Sequence, residues 1–299
     1  MRRTLHPLAL LSLLSLVAAC GKFEGDETRP AYLSISAFDV VDDATNTWST
    51  NPGFFENAVD AVNLVAYFEG DEAETELGTF QLPCKIPVLR RGTAKRLTIY
   101  PVVQQNGVAG TRIPYPYYEA VTLNNVALQT DSLTELGTLT THYGSHNLMR
   151  VAWEEYFEDW VQGYTLDTIV RRLDDRDTAR TGVSCGVVRV TPDTNLISFA
   201  GPNVSLGAAG NYIYLELSYW CDVEFGVGLQ GPTSSNASEV RYIGVKMRPT
   251  TGWKKIYINL GRLWRDFNFY STLRPYFEIY NPDLKSGNVF IDNIKLVVM

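Results

Sequence analysis

Apolar and polar positions alternate in short runs along most of the chain, and Gly, Pro or Asn separates one run from the next. In "YLSISAFDV", Leu33, Ile35 and Ala37 fall on one side and Ser34 and Ser36 on the other, a period of two that predicts a half-buried strand. "AVNLVAYFEG" predicts another strand, closed by the acidic turn "EGDEAETE", and "LGTFQLP", "KIPVL", "KRLTIYPVV" and "YYEAVTLN" predict more. The Asn-Gly pair of "QQNGVAG" favours a tight turn between strands. After "THYGSHN", read as a linker, a second block opens with "LMRVAWEEYFEDW" and closes with "SGNVFIDNIKLVVM". No sustained helical period interrupts the first block, and the second reads as strands again.

Alternation also assigns faces. In "NYIYLELSYWCDVEFGV" the nearly all-apolar set Ile213, Leu215, Leu217, Tyr219, Cys221, Val223 and Phe225 belongs in a core. Its complement, Tyr212, Tyr214, Glu216, Ser218, Trp220, Asp222 and Glu224, should face away from that core. The same reading buries Ile256, Ile258 and Leu260 and turns Tyr257 out. It buries Phe277 and Ile279 and turns out Tyr276, Glu278 and Tyr280, and it places Tyr242 and Lys246 outward.

The spacing of short strands over residues 31–143 suggests an Ig-like or prealbumin-like β-sandwich. The run from "LGTFQLPCKIPVL" to "TRIPYPYY" also resembles a domain of uncharacterised Bacteroidota lipoproteins, which implies architecture more than activity. Residues 148–299 resemble the galactose-binding-like jelly roll shared by many carbohydrate-binding modules. The pieces that carry this are Trp153-Glu154-Glu155-Tyr156-Phe157-Glu158, the tryptophan of "TTGWKKIYINL" and the closing Phe290-Ile291-Asp292-Asn293-Ile294-Lys295-Leu296. The expected fold is therefore all-β, an Ig-like sandwich followed by a β-jelly-roll sandwich. The second sandwich type binds sugars, peptides, lipids or nothing at all, so it does not fix a ligand.

The N-terminus carries a different pattern. Arg2 and Arg3 precede an almost continuous apolar run from Leu8 to Ala19, the layout of a secretory signal peptide over residues 1–19 and too short for a comfortable membrane span. Val17-Ala18-Ala19-Cys20 resembles the bacterial lipobox, which implies that Cys20 receives palmitate-type acyl chains and becomes the new N-terminus. A simple secreted protein with a chance cysteine is the alternative. Each buried acyl methylene contributes about 0.8 kcal/mol to membrane anchoring. Residues 20–30 then form an acidic tether. Gly21 stands where an aspartate would signal inner-membrane retention in enterobacteria. Lys22, Glu24, Asp26 and Glu27 resemble the export signals of surface lipoproteins in Bacteroidota. Outer-membrane placement is the expectation, with the periplasmic and cell-surface faces both open.

Composition narrows the function classes. Hydrophobic content of 45% and charge of 20% describe a folded globular protein, and the net charge of −7 argues against nucleic acid, whose phosphates demand a basic face. The chain has three histidines, and His6 belongs to the signal peptide. His142 and His146 lie in "THYGSHN", where a linker is favoured over a metal site, and any Ser-His-Asp or Cys-His unit would have to borrow one of them. With Cys20 committed to lipid, Cys84, Cys185 and Cys221 remain. Cys185–Cys221 is the one bridge plausible within a domain; otherwise these are small buried hydrophobes.

Three or more strands thus offer aromatics with interspersed carboxylates: Tyr212, Tyr214, Glu216, Trp220, Tyr242, Tyr257, Tyr276, Glu278 and Tyr280. Sugar recognition uses such surfaces, because a ring's apolar face packs on Tyr or Trp while carboxylates accept from hydroxyls. The competing expectation is that the N-terminal domain or a partner protein covers these rings. Modules of this sandwich type often hold a structural calcium, for which Glu154, Glu155, Glu158 and Asp292 are the oxygen-ligand candidates; carboxylates bonded to turn amides are the alternative. No other cofactor is expected. A glycosidase would need two carboxylates at a set distance in a cleft. The sequence shows no ExDxxE-type strand motif, nucleophile elbow or phosphate-binding glycine loop. The expectation is a non-catalytic, lipid-anchored envelope protein that binds a glycan or an envelope protein partner through its jelly roll. A glycoside-active or other surface hydrolase is the alternative.

Overall fold

The computed structural model describes residues 29–43, 49–51, 53–90, 92–144, 149–159, 166, 169–206, 212–233, 236–268 and 270–299. The expected signal peptide, Cys20, most of the acidic tether, and His146 lie outside the described residues. Among these residues the chain is all-β apart from one short 3-10 turn and one short helix.

The first sandwich is built from β1 (Ala31–Val40), β2 (Ala61–Phe68), β3 (Thr75–Gln81), β4 (Cys84–Val88), β5 (Gly92–Gln104), β6 (Arg112–Pro114), β7 (Val121–Leu128) and β8 (Leu133–Thr141). One sheet has the order β4-β1-β8; the other has the order β3-β2-β5-β6, with β7 also paired to β5. Leu33, Ile35 and Phe38 of β1 meet Val62, Leu64, Phe68, Leu97 and Ile99 in the core between the sheets. Alternation in β1 holds only as far as Ile35. Register shifts against β8 around Ile35 and Ala37 turn Phe38 inward, where strict alternation expected Ala37. The Asn-Gly turn after β5 is present. Asn106 and Gly107 both have positive φ (56° and 69°), and Val108 N donates to the Gln105 carbonyl at 3.2 Å.

The second sandwich contains β9 (Arg150–Glu155), β10 (Arg171–Asp174), β11 (Ser184–Val190), β12 (Leu196–Ala200), β13 (Val204–Ser205), β14 (Ile213–Cys221), β15 (Phe225–Thr233), β16 (Asn236–Met247), β17 (Lys254–Asn259), β18 (Thr272–Tyr280) and β19 (Gly287–Val298), with helix α1 (Gly261–Asp266) after β17. An inner sheet runs β10-β11-β19-β14-β17, with β9 alongside the end of β19. An outer sheet runs β12-β18-β15-β16, with β13 on β18. The apolar set of β14, from Ile213 to Cys221, points into the core between these sheets, as do Phe225, Ile256, Ile258, Phe277 and Ile279.

A third apolar cluster joins the sandwiches. Phe54, Val103, Tyr115, Tyr117, Tyr118 and Tyr143 from the first half pack on Tyr156, Tyr214, Tyr257 and Val297 of the second. The inner sheet is therefore covered on both faces, and β14 is buried along almost its whole length. Tyr143, expected in a separating linker, is itself buried in this junction. No helix among the described residues is long and apolar enough to cross a membrane.

Candidate functional site

The alternation of β14 and β17 puts Tyr214, Glu216 and Tyr257 on the face away from the second core, but that face is closed. Each of the three is at most 1% exposed. The first sandwich supplies the cover, chiefly through "PYPYY", in which Tyr115, Tyr117 and Tyr118 follow β6. Tyr115 meets Tyr214 edge-on at 5.2 Å and Tyr118 at 4.7 Å, and Tyr118 meets Tyr143 at 5.0 Å. Such T-shaped pairs each contribute about 0.5–1.5 kcal/mol beyond area burial.

At the centre of the junction, Glu216 accepts from Tyr115 Oη at 2.7 Å and Tyr143 Oη at 2.9 Å. Lys295 Nζ lies 3.1 Å and Lys255 Nζ 3.7 Å from Glu216 Oε2. Lys295 also donates to the Phe54 carbonyl and to Tyr143 Oη. Burial pushes the Glu216 carboxyl up, but Lys295, Lys255 and Tyr115 outweigh it and hold the group below the ordinary carboxylate value. Burial brings Lys295 down to about 8 against the pull of Glu216. Both are therefore charged at neutral pH. Burial first, and then the charge of Glu216, pushes the Tyr115 phenol well up, which keeps it a donor.

A second ionic group adjoins the first. Glu56 accepts from Asn293 Nδ2 at 2.6 Å, from Ser218 Oγ and from Arg180 Nε. Burial raises its carboxyl, yet Lys255 and these three donors bring it below the ordinary value overall. Asp292 has no solvent exposure and accepts from the amides of Asn293 at 2.8 Å and Arg180 at 3.1 Å. Burial dominates there and raises it to about 7.

The other candidates fall in different places. Tyr276 is buried on the outer face of the outer sheet, where Arg241 lies over its ring at 5.3 Å and its hydroxyl donates to Glu278 at 2.9 Å. Trp220 is half-buried against Phe290. Tyr212, Tyr242 and Tyr280 remain open at 48%, 39% and 58% exposure. Tyr280 and Glu278 border a shallow recess of about 70 Å³ with Glu224, Lys246 and Ile243. Gly226 sits opposite Glu278 in the register, and the Ile243 side chain occupies the space a side chain there would fill. The recess thus has an apolar floor and charged walls.

The calcium candidates do not converge. No group of three or more acidic, His or Cys side chains among the described residues could hold a metal ion. Glu155 accepts from Phe157 N at 2.9 Å, Glu158 from Val183 N at 2.9 Å, and Glu154 from Tyr156 Oη at 3.1 Å. With Asp292 also bonded to amides, these four carboxylates do not form a cation cradle.

Cys185 and Cys221 are free, not bridged. They lie on β11 and β14, which flank β19, and pair at different levels of it: Cys221 is opposite Val289, while Cys185 lies one residue before Gly186, which is opposite Ile291. Two strand spacings already separate their backbones by about 9.6 Å, beyond disulfide reach. Burial pushes both thiols up to about 12.

No family model matches the chain, and no curated protein matches its sequence. Among solved structures it is similar to carbohydrate-binding modules. One is the family 30 module of a cellulosomal cellulase of Clostridium thermocellum, 17% identical over 49% of this chain and 91% of that chain, with a TM-score of 0.34. Another is the family 11 module of the same organism in complex with a β-1,3-1,4-mixed-linked tetrasaccharide, 16% identical over 51% of this chain and 96% of that chain, with a TM-score of 0.35. A third, from the β-sandwich superfamily of such modules, is 12% identical over 90% of this chain and 98% of that chain, with a TM-score of 0.36. At that level of similarity the matches assign no ligand to this chain.

Proposed function

We propose that the chain is a non-catalytic envelope protein, anchored through Cys20 to the outer membrane, that binds glycan on the outer sheet of its second sandwich. The observation that carries the reading is Tyr280, an exposed ring on β18 beside Glu278, Glu224 and Lys246, over the apolar floor of Ile243. A sugar's apolar face can lie on the ring while its hydroxyls donate to carboxylates and accept from the ammonium. The recess, of about 70 Å³, suits the edge of one sugar ring. Tyr214 and Tyr257 take no part, because the first sandwich covers them. Non-catalytic action is supported by the partners of the perturbed carboxylates. Glu216 and Glu56 are each held by cations and donors inside the junction, and Asp292, raised to about 7, is closed to solvent and bonded to backbone amides, so none of the three is open to a substrate.

A glycan array probed with the full chain beside a Tyr280→Ala/Glu278→Ala variant tests the reading. Binding that disappears in the folded variant supports it; a blank array, or binding that the variant retains, refutes it.

A further inference from the structure

A second polar depression, of about 710 Å³, lies at the rim where the two sandwiches meet. Asn106 of the β5–β6 turn, Asn259 at the end of β17, Tyr212, Tyr242 of β16 and Arg262 and Arg265 of α1 all line it. Its base is fixed across the junction. Asn106 N donates to the Tyr257 carbonyl at 2.8 Å, Asn106 Oδ1 accepts from Asn259 N at 2.9 Å, and Asn259 Nδ2 donates to Tyr214 Oη at 3.1 Å.

Two rings stand open over this base. Tyr242 is braced edge-on by the buried Phe267 at 5.0 Å, yet remains 39% exposed. The Tyr212 backbone is held through its carbonyl by Tyr117 Oη and Met299 N, and the residue is 48% exposed. Arg262 and Arg265 are exposed, and among the described residues neither guanidinium has an ion-pair or hydrogen-bond partner. Asp266 is the one acidic residue among the lining side chains, so the groove carries a net charge of +1 (two Arg against one Asp) on a chain whose formal charge is −7.

We infer that this groove binds an acidic sugar, a uronic-acid residue of a glycan. Unpaired guanidiniums match a carboxylate in bidentate geometry, and exposed tyrosine rings match the apolar face of a pyranose. A free inorganic anion would use the arginines but not the rings, and a neutral sugar would use the rings but leave the arginines idle. Asn106 Nδ2 is left to donate to a ring hydroxyl. The inference stands apart from the outer-sheet reading, although Ile243 borders both depressions.

Calorimetric titration of the full chain with trigalacturonate, with its fully methyl-esterified form, and with a glucuronate-terminated trisaccharide tests it. The expected result is saturable binding of an acidic probe, weakened about tenfold or more by esterification. Arg262→Gln/Arg265→Gln should weaken it as much, Arg262→Lys/Arg265→Lys should weaken it less, and Tyr280→Ala/Glu278→Ala should leave it unchanged. Absence of binding to both acidic probes up to about 1 mM overturns the inference. So does equal affinity for the ester, insensitivity to the Gln variant, or loss of binding in the Tyr280→Ala/Glu278→Ala variant. That last variant acts on array binding in the outer-sheet test, so the two readings fail separately.

Discussion

Lys295 Nζ lies 3.1 Å from Glu216 Oε2 on the neighbouring strand, and neither side chain reaches solvent. The pair sits outside the second sandwich's own apolar core, on the sheet face that the first sandwich covers. Tyr115 and Tyr143 reach it from that first sandwich, so the ionic group spans the junction.

Breaking such a pair leaves a buried charge without its counterpart, at a cost of about 3–5 kcal/mol. Glu216→Gln and Lys295→Met should each lower stability by that order, read as a shift of the urea midpoint. Glu216→Leu/Lys295→Met should lose less than the two singles together, because neither charge of the pair then remains and Lys255 keeps Glu56 as its counter-charge. A double variant as unstable as the sum of the singles would contradict this.

Tyr143→Phe removes a donor to a buried carboxylate and an acceptor for Lys295. Hydrogen bonds to charged groups contribute about 1.5–3 kcal/mol, so a loss of that order is expected on denaturation. Combined with Tyr115→Phe, the losses should not add simply, since both hydroxyls serve Glu216. Strict additivity would argue against a shared acceptor.

Stability should depend on pH in two opposing ways. Glu216 and Glu56 are held below their ordinary value of 4.5 in the folded chain. Their contribution is fully present above 4.5 and is lost as pH falls through the depressed folded values. Asp292 is raised from 3.8 to about 7, so its folded form prefers the proton. The cost of ionising it is present above pH 7 and is relieved as pH falls towards 3.8. Thermal melts should therefore show stability rising from pH 7 to pH 5 and collapsing below 4.5. Asp292→Asn should flatten the rise and keep the collapse; a rise that persists unchanged in this variant would rule out Asp292 as its source.

The free thiols give a cheap probe of the core. Cys185 and Cys221 are buried with their thiols pushed up to about 12, whereas Cys84 is half-buried. A disulfide reagent at mildly alkaline pH should modify Cys84 first and the other two only on unfolding. Equal rates at all three in the native chain would count against the packing described.

Much of the fold is legible in the strand periods. The inward set of β14 and the apolar positions of β17 and β18 follow from a period of two, and the Asn106-Gly107 turn follows from its residue types. The exposure of the opposite face does not follow, because alternation says which side a residue faces and nothing about what lies beyond it. Tyr214 and Tyr257 face away from their own core as alternation requires, yet a second body covers them. Two signals pointed there: "PYPYY", five bulky residues in a short connection, and Lys295 set among apolar neighbours near the end of the chain. Lys255, Glu56 and Phe54 had no local mark, since their role depends on partners far along the sequence. Tyr276 is buried in another way, with the guanidinium of Arg241 laid over its ring.

The aromatic and ionic junction should make the two sandwiches a single cooperative body. Calorimetric unfolding of the full chain beside Glu216→Gln tests it most directly. One transition is expected, with calorimetric and van't Hoff enthalpies that agree, and a lower midpoint in the variant. Two resolved transitions in the unsubstituted chain, with Glu216→Gln shifting only one of them, would contradict it.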